Sequence, residues 1–225
     1  MGRVNFQRAR RPEQLAARRA AILQAARAAV GEKGVADVSL RDISERVGLA
    51  KSNVLRYFHT REALLLELLA QEFRGWLDAV GARLGRPRQR KPGYASEIRV
   101  ATTIAESLVE RRLLCELVGA MAGVLERNIT TEFARDFKLR ATANIDALAQ
   151  LVSRQLPWLP AESAAGFAEG ALALTAGMYP FSVPTEPVRI AMAELNFPDP
   201  GQRFAAGLRA GLVTWLIGAA ARSEA

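Results

Sequence analysis

The stretch from Ser39 to Glu62 limits what this chain can fold into more than any other part of the sequence. Ser39 is a favourable N-cap because its hydroxyl can accept a hydrogen bond from a free backbone N–H, and Asp42 completes a capping-box pattern. An apolar face with spacings of three and four follows, and Gly48 can adopt the left-handed conformation that ends a helix. The pattern predicts a short helix, a tight turn and a second helix from about Ala50 to Tyr57.

The second helix of this pair has one apolar and one polar face. At about 100° per residue, Ala50, Val54 and Phe58 share the apolar side. The polar side carries Lys51, Ser52, Asn53 and Arg56. Such side chains can bind base edges and phosphates, and a helix, a glycine-containing turn and a polar helix form the layout of a DNA-binding helix-turn-helix. The alternative from this pattern alone is an ordinary helical hairpin with a solvated face.

Several motifs occur in order along the first third of the chain. They are Ile22-Leu23-x-Ala25-Ala26, Gly34, Val38-Ser39-Leu40-Arg41-Asp42-Ile43, Val47-Gly48-Leu49 and Tyr57-Phe58-x-Thr60-Arg61-Glu62-x-Leu64-Leu65. Their order and spacing resemble the N-terminal domain of tetracycline-repressor (TetR) family regulators. By this resemblance, Ser39, Tyr57 and Arg61 would bind phosphates, while Arg41, Lys51, Ser52, Asn53 and Arg56 would lie near bases. The family usually has Ser or Thr where this chain has Ala50, so the second helix is expected to lack a side-chain N-cap.

The net charge of +8 is concentrated near the N-terminus. Up to Glu62 there are 13 Lys and Arg residues against 6 Asp and Glu residues, and residues 83–91 add five positive charges and no negative ones. A localised basic region indicates a polyanionic partner. Residues 1–11 include four arginines and are expected to form a flexible arm that can lie along the DNA backbone or in the minor groove. Disorder without a function is the alternative for this arm.

The rest of the chain predicts only helices, so the expected fold class is all-α. Residues 12–30 predict a helix that completes a three-helix DNA-binding domain with a helix-turn-helix over residues 1–62. A long helix over residues 63–84 would bridge to a larger helical ligand-binding and dimerisation domain over residues 63–225. At about 1.5 Å per residue, this helix is over 30 Å long. Further helices are expected over residues 96–110, 111–127, 131–156, 162–178, 188–195 and 202–221.

Two of these helices carry the same stripe of small residues, with steps of four, three and four. The stripes are Gly166, Gly170, Ala173 and Gly177 in one helix and Gly207, Gly211, Thr214 and Gly218 in the other. A mid-helix glycine costs about 1 kcal/mol relative to alanine, so repeated glycine on one face indicates that another backbone approaches closely. We interpret the stripes as a homodimer interface, which is also the dimer mode that the resemblance implies. The alternative is a pair of core helices in a monomer.

The resemblance also implies a ligand pocket in the C-terminal domain. Such pockets are mostly apolar with few polar groups. The candidates for lining it are Cys115, Met121, Phe133, Phe137, Trp158, Met178, Tyr179 and Phe181. Each of them is alternatively a plain core residue, and no pattern among them identifies the ligand.

Catalytic and metal-binding patterns are missing from the sequence. His59 is the only histidine and Cys115 the only cysteine, and neither a metal-ligand cluster nor a glycine-rich phosphate loop occurs. We therefore expect no enzymatic activity, no metal and no cofactor, while a redox-sensing role for Cys115 remains an alternative. A single cysteine forms no disulfide within the chain and fits a reducing cytoplasm. The sequence shows no long uncharged apolar stretch, so we expect no membrane span.

These features together predict a sequence-specific transcriptional regulator. Its expected partners are a double-stranded DNA operator, a second copy of the chain and a small-molecule effector. By the resemblance, it would be a repressor that the effector releases from a palindromic operator. Two alternatives remain, a non-specific architectural DNA-binding protein and an enzyme of the helical-bundle type.

Overall fold

The computed structural model describes residues 7–89 and 93–223, and the regular elements within these ranges are all helices. The α-helices are α1 Gln7–Asp37, α2 Leu40–Val47, α3 Lys51–Phe58, α4 Arg61–Leu84, α5 Ala95–Val109, α6 Arg112–Ala120, α7 Thr131–Gln155, α8 Ala161–Met178, α9 Glu186–Glu194 and α10 Pro200–Arg222. Short 3-10 turns occur at Leu125–Arg127 and Tyr179–Ser182. The all-α prediction is confirmed.

Helix α1 is longer than the sequence predicted, because it begins at Gln7 and continues to Asp37. The backbone of residues 7–11, which we expected in a flexible arm, is therefore helical, and the rest of that arm lies outside the described residues. The helix is interrupted at Gly34, which has a φ of 83° and a ψ of 164°. This left-handed φ favours glycine, and it turns the chain towards the start of α2.

Local capping fixes the two short helices of the helix-turn-helix. The Ser39 hydroxyl and the Asp42 carboxylate form the predicted capping box at the start of α2. Gly48 ends α2 with a φ of 67°, and Ala50 begins α3 without a side-chain cap, both as expected. Buried apolar residues then hold α1, α2 and α3 together: Ile22, Ala26, Val30, Ile43, Val54 and Phe58.

Helix α4 connects the two halves of the fold. It packs against α1 and α3 on one side and against α5, α6 and α7 on the other. Leu64, Leu65 and Leu68 are completely buried near its start. Trp76 is also completely buried, and its indole N–H donates to the Ser107 hydroxyl of α5 at 2.9 Å. With 24 residues at about 1.5 Å each, α4 is a rigid element of roughly 36 Å.

The remaining helices form the larger C-terminal part, in which α5 packs along α10 and α7 along α8. One predicted helix differs, since the segment expected to be helical up to residue 127 ends its α-helix at Ala120. Gly123 follows closely, and glycine disfavours a helix interior because it loses the most backbone freedom on ordering. The chain then makes the short 3-10 turn before Thr130 caps α7.

Helix α10 is long and apolar enough, by length and composition alone, to cross a membrane. Arg209 lies within this stretch, so it is not an uncharged apolar stretch, and the expectation of no membrane span stays a prediction. Phe204, Leu208 and Leu212 are nevertheless buried within the protein, where α10 packs against α5 and α8. Arg203 and Arg209 lie exposed on the same helix. Packing within the chain therefore covers part of the apolar surface of α10, since 33% of its apolar stretch is buried.

Candidate nucleic-acid interface and effector cavity

The outer face of α3 presents four polar side chains that have no partner in the described structure. Lys51, Ser52, Asn53 and Arg56 are all exposed, and none makes a side-chain hydrogen bond or ion pair with a described residue. The opposite face is fixed, because Val54 and Phe58 are buried in the three-helix core. The rotation of α3 is therefore set by its buried residues, and the polar face remains available for base edges and phosphates.

Helix α1 contributes an arginine beside this face. Arg18 lines a surface cleft together with Asn53, Arg56 and Tyr57 of α3. We did not include Arg18 among the predicted DNA contacts, because only the packing of α1 on α3 brings it there. Leu15 of α1 lines the same cleft and is 53% exposed.

Two predicted DNA contacts on α2 are exposed but already make local interactions. The Ser39 hydroxyl donates to the Asp42 carboxylate at 2.6 Å and accepts from the Asp42 backbone N–H at 3.2 Å. Arg41 donates from Nε to Glu45 at 2.7 Å. The Lys33 ammonium, 2.5 Å away, and the Ser39 hydroxyl and backbone N–H hold the pKa of Asp42 well below its usual range. Asp42 is therefore ionised near neutral pH, and Lys33 offsets its charge at this end of α2.

The expectation that Arg61 binds a phosphate requires a correction, because its side chain makes hydrogen bonds and an ion pair within the protein. Its Nε donates to the Val38 carbonyl at 2.6 Å, a terminal nitrogen donates to the Val35 carbonyl, and the guanidinium also pairs with Glu62 at 3.0 Å. The side chain is only 18% exposed. Arg61 therefore connects α4 to the end of α1 and to Val38 just after it, and it is not free to bind phosphate as the resemblance implied.

The end of α3 is fixed by an arginine of α1. Arg19 donates to the Tyr57 carbonyl at 2.6 Å, and its guanidinium lies 4.4 Å from the centroid of the Phe58 ring. It also forms an ion pair with Glu67 of α4 at 3.1 Å. Tyr57 itself is partly buried, with its side chain at the cleft described above. The sequence alone gives no signal for these contacts, since Arg19 and Tyr57 are 38 positions apart.

Polar contacts also join the N-terminal half, which contains α1 to α3, to the C-terminal half. Glu116 of α6 accepts from the Val35 backbone N–H at 2.5 Å. Asn128 donates to Glu62 at 3.1 Å, close to the start of α4. Arg140 of α7 lies 3.3 Å from Glu67, the carboxylate that also pairs with Arg19. A displacement of α6 or α7 would therefore act directly on the helices that hold α3.

An apolar cavity of about 280 Å³ lies between α4, α6, α7 and α8. Its lining residues are Leu69, Ala70, Phe73, Val118, Met121, Phe137, Ala141, Asn144, Ile145, Glu169, Leu172, Ala173 and Ala176. Met121 and Phe137 were predicted to line a pocket. The helix α4 that bridges the two halves forms one wall, so the cavity is in direct contact with the bridging element.

The other six candidates for the pocket do not line this cavity. Met178 and Phe181 line a separate surface groove of about 440 Å³, near α9 and α10. Trp158 donates to Glu97 at 2.7 Å, and Phe133 lies under Arg140, outside the cavity. Tyr179 is buried and packs edge-on against Phe204. Apolar residue types occur in cores and cavities alike, so the sequence could not separate them.

Cys115 is completely buried and does not line the cavity. Its Sγ lies 3.1 Å from the Leu108 carbonyl, to which the thiol donates. Burial raises the pKa of the Cys115 thiol to about 12. The reactive thiolate is therefore scarce at neutral pH, which argues against a redox-sensing role.

The glycine stripes of α8 and α10 meet each other within one chain. A Cβ at Gly170 would lie 2.3 Å from the Trp215 ring, and a Cβ at Gly207 would lie 2.5 Å from the Met178 side chain. Gly211 similarly faces Leu174. These three glycines are therefore explained by close packing inside the chain, contrary to our assignment of them to a subunit interface. The other stripe residues lie outside this contact. Ala173, Gly177 and Thr214 are exposed. Among the described residues, a Cβ at Gly166 or Gly177 would meet no atom of another element within 4 Å, and one at Gly218 would meet only Arg222 of its own helix.

Comparison with known proteins identifies the family. Residues 22–68 match the family model described as bacterial regulatory proteins of the tetR family. Residues 70–223, more than half of the chain, match the model described as the tetracyclin repressor-like C-terminal domain. The chain belongs to the TetR family. TetR-family proteins are DNA-binding transcriptional regulators, so the exposed face of α3 lies in the domain that binds DNA.

Relatives along almost the whole chain agree with this assignment. The TetR-family chain is 27% identical over 212 residues to the HTH-type transcriptional regulator BetI of Agrobacterium fabrum, covering 85% of this chain and 95% of BetI. A TetR-family regulator from Mesorhizobium loti has the same fold, with a TM-score of 0.56, 16% identity, and coverage of 92% and 96% of the two chains. FadR from Bacillus subtilis, solved with stearoyl-CoA, gives a TM-score of 0.52 at 13% identity, with coverage of 87% and 97%.

Proposed function

We propose that this TetR-family protein is a repressor that binds a palindromic operator as a homodimer and is released by a small molecule. The observation that carries the proposal is the outer face of α3. Its side chains at positions 51, 52, 53 and 56 are exposed and have no partner among the described residues, whereas Arg19 and Arg61 nearby are paired within the protein. A polar helix face kept free in this way suits direct recognition of base edges in the major groove.

Sequence-specific binding is favoured over architectural binding by the types of side chain on this face. Asn53 and Arg56 can each form two hydrogen bonds with a single base, which distinguishes base pairs. Arg18 and Lys51 beside them supply positive charge for phosphates, which gives affinity without sequence preference. An architectural protein needs the second group but not the first. This difference makes the specific regulator the better account of the surface.

A homodimer would bring two α3 helices to one operator. One helix-turn-helix contacts few base pairs, and a two-fold dimer places two of them on half-sites of a palindrome. The surface near α8 and α10 supports such an interface, because large apolar side chains are exposed there. Phe181 is 80% exposed, and Val183, Val188, Ile190, Leu195, Phe197 and Trp215 are also exposed. A group of exposed large apolar side chains is typical of protein interfaces.

Ligand binding would act through α4. The cavity is bounded by α4, α6, α7 and α8, and α6 and α7 reach the DNA-binding half through Glu116 and Arg140. A ligand that binds better to one arrangement of these helices shifts the population towards it, and couplings of about 1–3 kcal/mol are typical. FadR, which has the same fold, was solved with stearoyl-CoA, so a regulator of this shape can hold a small molecule. We place the protein in the cytoplasm, where the operator lies.

The test is selection of bound duplexes from a random DNA pool, using the full chain at roughly physiological salt. The expected result is an enriched palindrome, with its half-sites about one helical turn or more apart. The Arg56→Ala variant should lose the enrichment at one position of each half-site. Binding without enrichment would instead support the architectural alternative, and its affinity would then fall steeply with salt for every duplex.

A further inference from the structure

We propose that the cavity between α4, α6, α7 and α8 takes a compact hydrophobic cation, such as an arylalkylamine. This inference rests on the proposed function, since it names the chemical class of the effector. It concerns the cavity of about 280 Å³ described above. Three features of the cavity support the proposal: the apolar surface of its wall, the two polar side chains in that wall and its volume.

The wall of the cavity is almost entirely apolar. Among the thirteen residues that line it, eleven have hydrocarbon, aromatic or thioether side chains. Phe73 of α4 and Phe137 of α7 supply two aromatic rings. A ligand that fits this cavity must therefore have a mostly hydrocarbon surface of its own. The face of an aromatic ring can also attract a nearby cation.

The two polar side chains of the wall determine the sign of charge that fits. They are Asn144 of α7 and Glu169 of α8, and neither makes a side-chain hydrogen bond or ion pair with a described residue. Among the residues that the structure describes, no lysine, arginine or histidine lines the cavity. A cationic ligand would pair with the Glu169 carboxylate, and Asn144 could accept or donate one further hydrogen bond. An anionic ligand would bring its charge to an apolar wall that offers only a like charge.

The volume of the cavity sets the size of the ligand part that it can enclose, since the exposed Glu169 and Ala173 leave one side open to water. A cavity of about 150 Å³ holds benzene, so about 280 Å³ corresponds to roughly ten to fourteen non-hydrogen atoms. Long acyl chains with bulky anionic head groups exceed this volume and carry the wrong charge. Phenyl rings with a short aliphatic amine have the right size, the right apolar surface and the right charge.

The direct test compares three probes of matched size with the full chain by isothermal titration calorimetry. The probes are 3-phenylpropylamine, 3-phenylpropan-1-ol and 3-phenylpropanoate, which share the same apolar part and differ in charge. We expect the amine to bind about tenfold or more tightly than the alcohol, and the propanoate to bind more weakly than the alcohol. Equal affinities for the three probes, or no binding of the amine at millimolar concentration, would overturn the proposal.

Two glutamate variants on α8 test which carboxylate causes the preference for the amine. Glu169→Gln should bring the affinity of the amine to within about twofold of that of the alcohol. Glu162→Gln makes the same chemical change in the first turn of α8, away from the cavity, and should keep the full preference. Ala141→Phe places a ring in the cavity and should weaken both probes. If Glu169→Gln keeps the preference for the amine, the site is not the one proposed.

The proposal and the regulatory function fail in different ways. Amine binding that depends on Glu169, together with an enriched palindrome whose affinity does not change on adding the amine, would leave the site standing and remove the release mechanism. An enriched palindrome with no binding of the amine would leave the DNA-binding function standing and overturn the ligand class.

Discussion

Glu116 of α6 accepts a hydrogen bond from the backbone N–H of Val35, with 2.5 Å between Oε1 and the nitrogen. Gly34, the residue before Val35, has a φ of 83°, and a Cβ at Gly34 would lie 2.9 Å from the same Oε1 of Glu116. Two conditions therefore require glycine at this position, the backbone conformation and the approach of the carboxylate. The contact joins the end of α1 to the C-terminal half of the fold.

The first prediction is that Gly34→Ala lowers the free energy of unfolding by about 1–2 kcal/mol, because alanine is strained at positive φ and crowds Glu116. Urea denaturation of the full chain measures this change. The control is Gly31→Ala in the same helix, where a Cβ meets nothing within 4 Å. That change should be neutral or stabilising by up to about 1 kcal/mol. Unchanged stability of Gly34→Ala would show that the Glu116 contact does not constrain the backbone.

Local patterns in the sequence predicted the start and end of α2 correctly, because a cap depends on neighbours a few positions away. Ser39, Asp42 and Gly48 carry out the roles that their spacing indicates. Long-range contacts were not predictable in the same way. The exposure of Leu15 depends on how α1 packs on α3, and local sequence patterns do not predict that packing.

The candidate sites show the same division between local and long-range information. The free face of α3 follows from its helical period, so its four polar residues were found from the sequence. The role of Arg61 was not, because its partners are carbonyl groups 23 and 26 positions earlier. Likewise, Met121 and Phe137 line the cavity while Cys115 lies in the core, a distinction that depends on the gaps between packed helices.

The second prediction separates the structural role of Arg61 from the DNA contact that we propose for Arg56. Arg61→Ala should lower the free energy of unfolding by about 1–3 kcal/mol, since it leaves the Val35 and Val38 carbonyls without their charged donor. Arg56→Ala should change stability by less than about 0.5 kcal/mol, because its side chain is exposed and unpaired. It should instead weaken specific DNA binding by about 1–3 kcal/mol. Chemical denaturation and operator titration on both variants measure these effects.

The opposite pattern for these arginines would restore the role that the family resemblance implied. If Arg61→Ala kept full stability and weakened binding to every duplex equally, Arg61 would be a phosphate contact. A smaller dependence of affinity on salt concentration would accompany that result, because one phosphate contact fewer releases fewer counterions.

The third prediction concerns the reactivity of Cys115. Because burial raises the pKa of its thiol to about 12, the folded protein should resist alkylation by iodoacetamide at pH 8. The same protein in denaturant should be alkylated rapidly, since an exposed cysteine has a pKa of about 8.5. Intact mass spectrometry over time measures both rates. Rapid alkylation of the folded protein would show that Cys115 is accessible, and it would reopen a redox-sensing role.

The last prediction separates packing within the chain from association between chains. Gly170→Ala should lower the stability of the fold by about 1–3 kcal/mol, because its methyl group would overlap the Trp215 ring of α10. Gly177→Glu should leave the fold intact, since Gly177 is exposed and has open space around it. If the exposed surface of α8 and α10 forms the proposed dimer, this variant should sediment as a monomer at micromolar concentration, whereas the unaltered protein sediments as a dimer. Gln150→Glu, an exposed change on α7 that also adds one negative charge, should keep the dimer. A dimer that survives Gly177→Glu would show that Gly177 lies outside the contact, and the proposed interface would then be limited to the exposed apolar residues between 181 and 197 and Trp215.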